Sequence, residues 1–234
     1  MSRGPNKTRK ELIPYKDDNP VRTVPFVTYL IVGANIAVFI LQFISAENAQ
    51  RIVHAYGAIP RNILTFSSHQ PIPPFLTVFA SMFMHGGLLH IAGNMLYLWI
   101  FGNNIEDVLG HFRFLLFYLF SGVVSAYSYA LTAPSSTVPM IGASGAISGV
   151  LGAYILLFPK ARVHTVVFLG FFVQLIRIPA LIVIGFWAII QFVSGLLIHT
   201  GPNQGGIAWF AHMGGFLAGL LTIKLWLPRR IHRW

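Results

Sequence analysis

The chain contains no cysteine and few charged residues, and both shortages narrow its chemistry. Charged side chains make up 9% of the 234 residues and hydrophobic ones 55%, whereas a soluble globular domain carries about 25% charged residues. Without cysteine, disulfide bonds and thiolate ligands for a metal are excluded. This composition is that of a membrane protein.

Acidic residues are especially scarce, and their positions exclude two hydrolytic mechanisms. An aspartyl protease needs two facing carboxylates, and a zincin-type metalloprotease needs a His-Glu-x-x-His pattern, which does not occur. His85, His90 and His212 are of a type that binds metals, but no carboxylate or thiolate accompanies them in the apolar runs. We therefore expect neither a metal nor a cofactor. The six acidic residues are Glu11, Asp17, Asp18, Glu47, Glu106 and Asp107.

Six apolar stretches approach the length of about 20 residues that a bilayer-spanning helix needs. The predicted fold class is therefore all-α, a polytopic membrane protein whose six-span domain covers residues 25–228. A short basic segment, 1–24, precedes this domain, and a basic tail, 229–234, follows it. We expect residues 1–24 to be disordered or to lie along the membrane surface. The six stretches are Pro25–Ser45, Leu88–Ile105, Phe114–Leu131, Pro139–Phe158, Ile178–His199 and Gly206–Leu227.

The formal net charge of +10 is distributed by membrane side. With six spans, fourteen of the sixteen Lys and Arg residues fall on the side of both termini, and only Arg51 and Arg61 fall on the other. This asymmetry is the positive-inside pattern and predicts that both termini are cytoplasmic. The charge thus reflects topology, and we expect no nucleic-acid partner. Short cytoplasmic loops and the lack of a targeting presequence favour a bacterial inner (plasma) membrane, with an organellar membrane as the alternative.

Two connecting segments are partly apolar yet are not counted as spans. The segment from Glu47 to Gly87 mixes apolar and polar residues and contains Pro71-Ile-Pro-Pro74, which favours an interfacial, partly helical loop. Val163–Ile176 is apolar throughout much of its length. Counting it as a span would place the basic residues from Lys224 onward outside. We expect it instead to be an interfacial or re-entrant piece between the fourth and fifth spans.

Residues 142–149, Gly-Ala-Ser-Gly-Ala-Ile-Ser-Gly, place a hydroxyl between glycines near the start of the fourth span. Taken alone, Ser144 is best interpreted as a packing residue, because small side chains line helix contacts in membranes. Alanine would pack equally well, however, and packing does not explain the polar groups in other spans. Ser144 is therefore a candidate nucleophile whose assignment depends on its partners.

His212 is the candidate partner, because a histidine inside a span is costly and faces a cavity or the bundle interior. Gly215 and Gly219 share its helical face, which lets this helix approach another closely. Ser144 lies about five residues into its span and His212 about six into its own. At about 1.5 Å per residue, both lie at similar shallow depth. A hydrogen-bonded structural histidine remains the alternative.

His90 and Asn94 are spaced i, i+4, so they project from one face of the second span near its outer end. Neutral histidine and asparagine can both donate hydrogen bonds to an oxyanion that develops during acyl transfer. A polar contact between helices is the alternative, above all for Asn94. With no acidic residue for a triad, catalysis would depend on a Ser144–His212 dyad.

These three elements together, Gly-Ala-Ser-Gly, His-x-x-x-Asn and Ala-His-x-Gly-Gly, resemble the rhomboid family of intramembrane serine proteases over roughly residues 75–225. The resemblance implies that Ser144 is the nucleophile and His212 the general base and acid. It implies an oxyanion site formed by His90, Asn94 and the Ser144 backbone N–H, with Gly142 shaping the approach. It also implies that His85 organises the external loop.

The resemblance further implies a rhomboid-like bundle of six helices with a membrane-interfacial first loop, cleaving single-span membrane proteins near the outer face. Two features depart from some members. Ser148 stands where they carry a tyrosine that stacks on the catalytic histidine, and a Trp-Arg pair in the first loop is absent. We therefore expect His212 to be oriented by packing or by another aromatic residue, Trp209 or Phe210.

Two other functions remain open at this point. A non-catalytic rhomboid-like protein would bind membrane helices without cutting them, although such relatives lack the serine or the histidine that this chain retains. A secondary transporter would need ionisable groups within its spans, and the acidic ones are missing. The expected partners are transmembrane protein substrates and the lipid bilayer.

Overall fold

The described part of the chain is mostly helical and contains one small antiparallel sheet. The structure is a computed structural model that describes residues 11–44, 49–67, 69–169, 172–197 and 209–228. The α-helices within these ranges are α1 (Phe26–Ile44), α2 (Ala49–Tyr56), α3 (Pro60–Thr65), α4 (Pro74–Ser81), α5 (Leu88–Tyr97), α6 (Asn103–Leu109), α7 (His111–Thr132), α8 (Ser144–Leu157), α9 (Ala180–Leu197) and α10 (Trp209–Trp226).

Helices occur at all six stretches that the sequence marks as apolar. The second stretch is a composite, since a π-helical turn at Leu98–Gly102 joins α5 to α6. By length and composition, two described helices, α1 and α7, are long and apolar enough to cross a membrane. Two shorter apolar helical stretches are α8 (Ser144–Leu157) and the part Ala180–Val193 of α9. The segment after α1 contains three short helices, α2 to α4, as expected for a partly helical loop.

The fourth predicted span begins later than its hydropathy indicates. Helix α8 begins at Ser144, five residues after Pro139. The preceding residues are extended, since Met140 pairs with Ala58 in an isolated antiparallel bridge. Gly142 then adopts a φ of +123°, which disfavours any residue with a side chain and interrupts a helix. At about 1.5 Å per residue, the 14 residues of α8 extend for about 21 Å.

The all-α prediction is wrong in one region, where three strands form a sheet. The strands β1 (Glu11–Asp17), β2 (Arg162–Leu169) and β3 (Phe172–Pro179) lie in the order β1-β2-β3, with both neighbouring pairs antiparallel. The described residues of Val163–Ile176, expected to be an interfacial or re-entrant piece, thus belong to β2 and β3, which pair with each other and lie between α8 and α9 in the chain. The β-branched and aromatic residues of this segment suit a pleated strand better than a helix.

The same sheet corrects one of the two alternatives expected for the basic segment 1–24, disorder, for the part of it that forms β1. Within 1–24, the residues from Glu11 to Asp17 are the edge strand β1 rather than a disordered tail. Hydrogen bonds from β2 supply the ordering, and such non-local pairing leaves no local sequence signal. Residues 1–10 and the tail 229–234 lie outside the described residues.

Three helices meet through small residues in the centre of the bundle. The contact between α8 and α10 is backbone to backbone, since a Cβ atom added to Gly219 would lie 2.7 Å from Gly149 Cα, and one added to Gly152 would lie 2.8 Å from Leu220 N. Serines of α7 complete the contact, with Ser125 against Gly145. Neighbouring backbones can approach this closely only where side chains are absent.

Buried carboxylates tie the other end of the bundle to the N-terminal region. Asp17 Oδ2 accepts hydrogen bonds from the Tyr154 hydroxyl at 2.5 Å, Asn104 Nδ2 at 2.9 Å and Asn19 Nδ2 at 3.0 Å. Burial raises the pKa of Asp17 above its ordinary value of 3.8, although these hydrogen bonds oppose the rise. The network connects β1 to α6 and to α8, ten residues from Ser144.

Glu106 performs a similar task at the start of α1. Its fully buried carboxylate accepts hydrogen bonds from the Val27 and Thr28 backbone N–H groups and from the Thr28 hydroxyl, at 2.7 to 2.8 Å. His111 Nδ1 lies 2.6 Å from the same carboxylate. A carboxylate at a helix N-terminus satisfies N–H groups that have no partner within the helix. Glu106 therefore fixes where α1 begins relative to α6 and α7.

The glycine contact generates a first prediction. Gly219→Ala forces α10 away from α8 and should lower the free energy of unfolding by about 1–3 kcal/mol. Gly33→Ala is the matched control, because a Cβ at Gly33 has nothing within 4 Å, and it should be neutral or stabilise by up to about 1 kcal/mol. Thermal unfolding in detergent micelles measures both. Equal unfolding temperatures for the two variants would contradict the close helix contact.

Two buried tyrosines provide a second prediction. Tyr154→Phe removes the hydroxyl that donates to Asp17 and should lower the free energy of unfolding by about 1–3 kcal/mol. Tyr118→Phe is the control, because the equally buried Tyr118 hydroxyl has no hydrogen-bond partner among the described residues. It should change stability by less than about 0.5 kcal/mol or increase it. A larger loss for Tyr118→Phe than for Tyr154→Phe would refute the anchoring role of the Asp17 network.

Candidate active site

Ser144 is the first residue of α8, where the chain turns from an extended segment into the helix. Gly142, at φ +123°, provides the turn, and its N–H donates to the Ser81 carbonyl at 2.9 Å. The first N–H groups of a helix have no partners within it, so the Ser144 hydroxyl lies beside free backbone donors. The Ser148 hydroxyl donates back to the Ser144 carbonyl at 2.6 Å. The hydrogen bond of the Ser148 hydroxyl is therefore made within its own helix.

His212, in the first turn of α10, contacts Ser144 directly. Its Nε2 atom lies 2.8 Å from Ser144 Oγ, within hydrogen-bonding distance. The two residues are 68 positions apart in the chain, and the glycine contact between α8 and α10 is what brings them together. A hydroxyl and an imidazole nitrogen at this distance can act chemically as a nucleophile and its base.

A hydrogen bond to Gln191 of α9 holds the other nitrogen of His212. Gln191 Oε1 lies 2.5 Å from His212 Nδ1, and the Trp187 ring lies 6.0 Å from the imidazole, tilted by 42°. The sequence had suggested Trp209 or Phe210 as the aromatic residue that orients His212. The contacts observed come instead from Gln191 and Trp187, which the sequence analysis did not name. Gln191 had one usable signal, because an amide within the apolar run of α9 is costly unless it has a partner.

A cavity of about 690 Å³ opens beside Ser144 and His212. Its lining is mainly apolar and includes residues from α5, α7, α8, α9 and α10, together with the extended segment before α8. Gly142 keeps this space open, since a Cβ atom there would lie 2.9 Å from His90 Nε2. Its lining includes His90, Gly142, Ser144, Ile190, Gln191 and His212.

Asn94 lies on a smaller cavity of about 270 Å³ that His90, Ser144 and His212 also line. The Asn94 side chain is buried, and its Nδ2 atom has no hydrogen-bond partner within the described part of the chain. A buried donor without a partner is rare and costly. The structure thus brings all four candidate side chains to one place, with an unused donor beside the candidate nucleophile.

His85 lies behind His90 rather than in the cavity with Ser144. The two rings are in edge contact, with centroids 5.0 Å apart, and the His85 backbone N–H donates to Gln42 Oε1 of α1 at 3.1 Å. Burial, and then the neighbouring His90, lower the pKa of His85 from 6.5 to about 4. His85 is therefore a neutral link between α1, the loop before α5 and His90.

No group of three or more His, Cys, Asp or Glu side chains that could hold a metal ion occurs among the residues described. The site as built contains a hydroxyl, an imidazole, an amide and backbone donors around an apolar cavity. These groups can perform acyl transfer by nucleophilic attack, proton transfer and oxyanion stabilisation.

Comparison with known proteins identifies relatives that are named as mitochondrial proteins and a relative from a bacterium. Rhomboid protein 1, mitochondrial, of Saccharomyces cerevisiae is 30% identical over 200 residues, which cover 83% of this chain and 51% of that protein. Rhomboid protease GluP of Bacillus subtilis is 28% identical over 208 residues, 88% of this chain and 36% of that protein. The human presenilin-associated rhomboid-like protein, mitochondrial, is 32% identical over 146 residues, 61% of this chain and 35% of that protein.

This chain spans about half the length, or less, of these relatives. The family model described as the Rhomboid domain matches residues 74–229, a range that contains α4 to α10 and every candidate site residue. Since this match covers more than half of the chain, the chain belongs to the rhomboid family of integral membrane proteins.

Proposed function

We propose that this protein is an intramembrane serine endopeptidase that cleaves single-span membrane proteins through a Ser144–His212 dyad. The observation that supports this most is the 2.8 Å contact between Ser144 Oγ and His212 Nε2 beside a mainly apolar cavity. Membership of the rhomboid family and similarity to a relative named as a protease also favour it. Activity, substrate and partners are proposals for this chain.

In the proposed reaction, Ser144 Oγ attacks the carbonyl carbon of the scissile peptide bond while His212 Nε2 takes its proton. His212 then donates that proton to the leaving amine, and the peptide bond breaks to leave an acyl-enzyme on Ser144. Water, deprotonated by His212, hydrolyses the ester and regenerates the hydroxyl. His212 thus acts as base and acid in turn.

The negative charge that develops on the carbonyl oxygen needs donors already in place. We assign this task to His90, to Asn94 Nδ2 and to the Ser144 backbone N–H. The unused Asn94 donor and the shared cavity support the assignment. Gly142 contributes by leaving the approach to the oxyanion free of a side chain. Its own N–H, already bonded to Ser81, is not counted among the donors.

The proposed substrate is a transmembrane helix cut near the outer membrane face. A helix has its backbone groups hydrogen-bonded internally, so it must open before a carbonyl can be attacked. The apolar lining of the cavity suits an apolar substrate segment, and the short helix α8 leaves Ser144 at the cavity rather than at the end of a full span. His85 is proposed to organise the external loop through its contacts with Gln42 and His90.

For the membrane arrangement, we propose six spans, an interfacial first loop from Glu47 to Gly87, and both termini in the cytoplasm. The distribution of Lys and Arg supports this topology, and α5 with α6 and α7 to α10 supply helices for spans two to six. A bacterial inner membrane is proposed from the similarity to the Bacillus protein. The mitochondrial relatives show that related chains also occur in an organelle.

Substitution of the two dyad residues provides the test of the catalytic proposal. Ser144→Ala and His212→Ala should each lower kcat by more than about 10³-fold, and both variants should remain folded, with a lower unfolding temperature for His212→Ala because it removes the partner of the buried Gln191 amide. Cleavage of a single-span model substrate in proteoliposomes measures the rate. Reaction of the wild type with a fluorophosphonate probe should label Ser144.

Matched controls for these variants are Ser121→Ala, on α7, and His69→Ala, in the first loop, and both should retain activity. Cleavage that persists in Ser144→Ala or His212→Ala would refute the dyad. A wild type that binds transmembrane helices but neither cleaves them nor reacts with the probe would instead be a non-catalytic membrane-helix binder.

The absence of cysteine makes the proposed topology directly testable. Thr8→Cys and His232→Cys should react with a membrane-impermeant maleimide only after cells are opened, because both termini are proposed to be cytoplasmic. Ser135→Cys should react in intact cells, since the link between α7 and α8 is proposed to be external. Because the chain has no cysteine of its own, any maleimide attached to it marks the introduced thiol. Labelling of His232→Cys in intact cells would exclude six spans with an internal N-terminus.

A further inference from the structure

Gln191 is an amide in the middle of α9, a helix that is otherwise almost entirely apolar. The side chain is buried, with 7% of its surface exposed. An amide in such a setting loses its hydrogen bonds to water and needs a protein partner to compensate. The partner observed is the imidazole of His212, through the 2.5 Å contact between Gln191 Oε1 and His212 Nδ1.

This contact determines which nitrogen of His212 carries the proton. The amide oxygen of Gln191 can only accept a hydrogen bond, so Nδ1 must be the donor. In a neutral imidazole, the other nitrogen then has no hydrogen and presents a lone pair. That atom, Nε2, faces Ser144 Oγ at 2.8 Å. The hydrogen bond that His212 Nδ1–H donates to Gln191 Oε1 therefore selects the tautomer whose Nε2 atom can accept the serine proton.

Carboxylates do not supply this function in the described part of the chain. Asp17 is bonded to Tyr154, ten residues along α8 from Ser144 and hence about 15 Å away along the helix axis. Glu106 is bonded at the start of α1. A neutral amide can orient the imidazole but adds no charge to stabilise the protonated ring. Gln191 thus has the geometric part of the role that an acidic third residue plays in a triad.

Gln191 and Trp187 are spaced i, i+4 and lie on one face of α9, where both contact His212. The histidine itself belongs to α10. The base is therefore held in place from a neighbouring helix, which also contributes Ile190 to the cavity wall. A shift of α9 away from α10 would break the bond to Nδ1.

We propose that Gln191 is a positioning residue that holds His212 in the Nδ1–H tautomer and directs its Nε2 atom at Ser144. This role rests on the proposed function, since it matters only if His212 is the base. It makes the competence of the base dependent on the packing of α9 against α10. It also accounts for the orientation of His212 without an aromatic residue at position 148.

Two variants of equal side-chain length separate this role from simple packing. Gln191→Met fills the same space without an acceptor, and kcat should fall about 10–100-fold while KM changes less than about twofold, because base catalysis contributes about 10²–10⁴-fold. Gln191→Glu restores an acceptor oxygen and should return kcat to within about threefold of wild type. Ile189→Met introduces the same methionine on an exposed position of α9 and should leave kcat unchanged.

A measurement on the wild type tests the geometry without any kinetic assay. Nitrogen-15 NMR of histidine-labelled protein, with His212→Ala to assign the signal, should show the Nδ1–H tautomer for His212. Gln191→Met should convert this signal to a mixture of tautomers, which a purely structural role would not do.

The outcomes distinguish the two levels of the proposal. An Nε2–H tautomer in the wild type, or Gln191→Met with wild-type kcat, would overturn the positioning role while Ser144-dependent cleavage upholds the endopeptidase. A wild type without Ser144-dependent cleavage would overturn the endopeptidase itself, and the positioning role with it. If Gln191→Met does not fold, the wild-type tautomer and the kcat of Gln191→Glu still test the positioning role. A Gln191→Glu variant more than about tenfold slower than wild type would contradict the idea that an acceptor oxygen at this position is sufficient.

Discussion

The direct backbone contact between α8 and α10 is the constraint on which the rest of the structure depends. The two helices approach so closely that a methyl group at Gly152 or Gly219 would overlap the opposing backbone. In a bilayer, dispersion forces between surfaces in contact are a main source of helix association, because lipid is as apolar as the side chains it replaces. The same contact brings Ser144 and His212 within hydrogen-bonding distance. Packing and the candidate chemistry therefore have a single physical origin.

Polar groups occur at both ends of the bundle but perform different tasks. At one end, Ser144, His212 and Gln191 line the larger cavity, and Asn94, whose Nδ2 atom has no hydrogen-bond partner among the described residues, lines the smaller one. At the other end, the Asp17 network is closed and satisfied, with three donors on one carboxylate oxygen. Satisfied buried networks rigidify a core, whereas an unsatisfied buried donor is costly and calls for an explanation.

The lengths of the six apolar stretches predicted helices at all of them. In an apolar environment the backbone N–H and C=O groups must bond to each other, and a helix is the structure that achieves this within a single segment. The glycine spacing on α10 predicted a close approach, which the structure contains. Strand β1 was missed because it pairs with β2 across about 150 residues, and no local pattern records such a pairing. Strands β2 and β3 did have a local signal in their β-branched and aromatic residues, which was interpreted as an interfacial or re-entrant piece. The late start of α8 was missed because it results from the turn at Gly142 and the pairing of Met140 with Ala58.

By itself, the sequence determined that the chain is apolar and mostly helical, that carboxylates and thiols are missing from its apolar runs, and that Ser144 and His212 are the candidate pair. These properties depend on composition and on spacing within single helices. Only the tertiary structure decided how His212 is oriented, because Gln191 is on a different helix and its amide becomes a partner only when α9 packs beside α10. A hydrogen bond between helices depends on their packing, and one chain's local pattern does not contain that information.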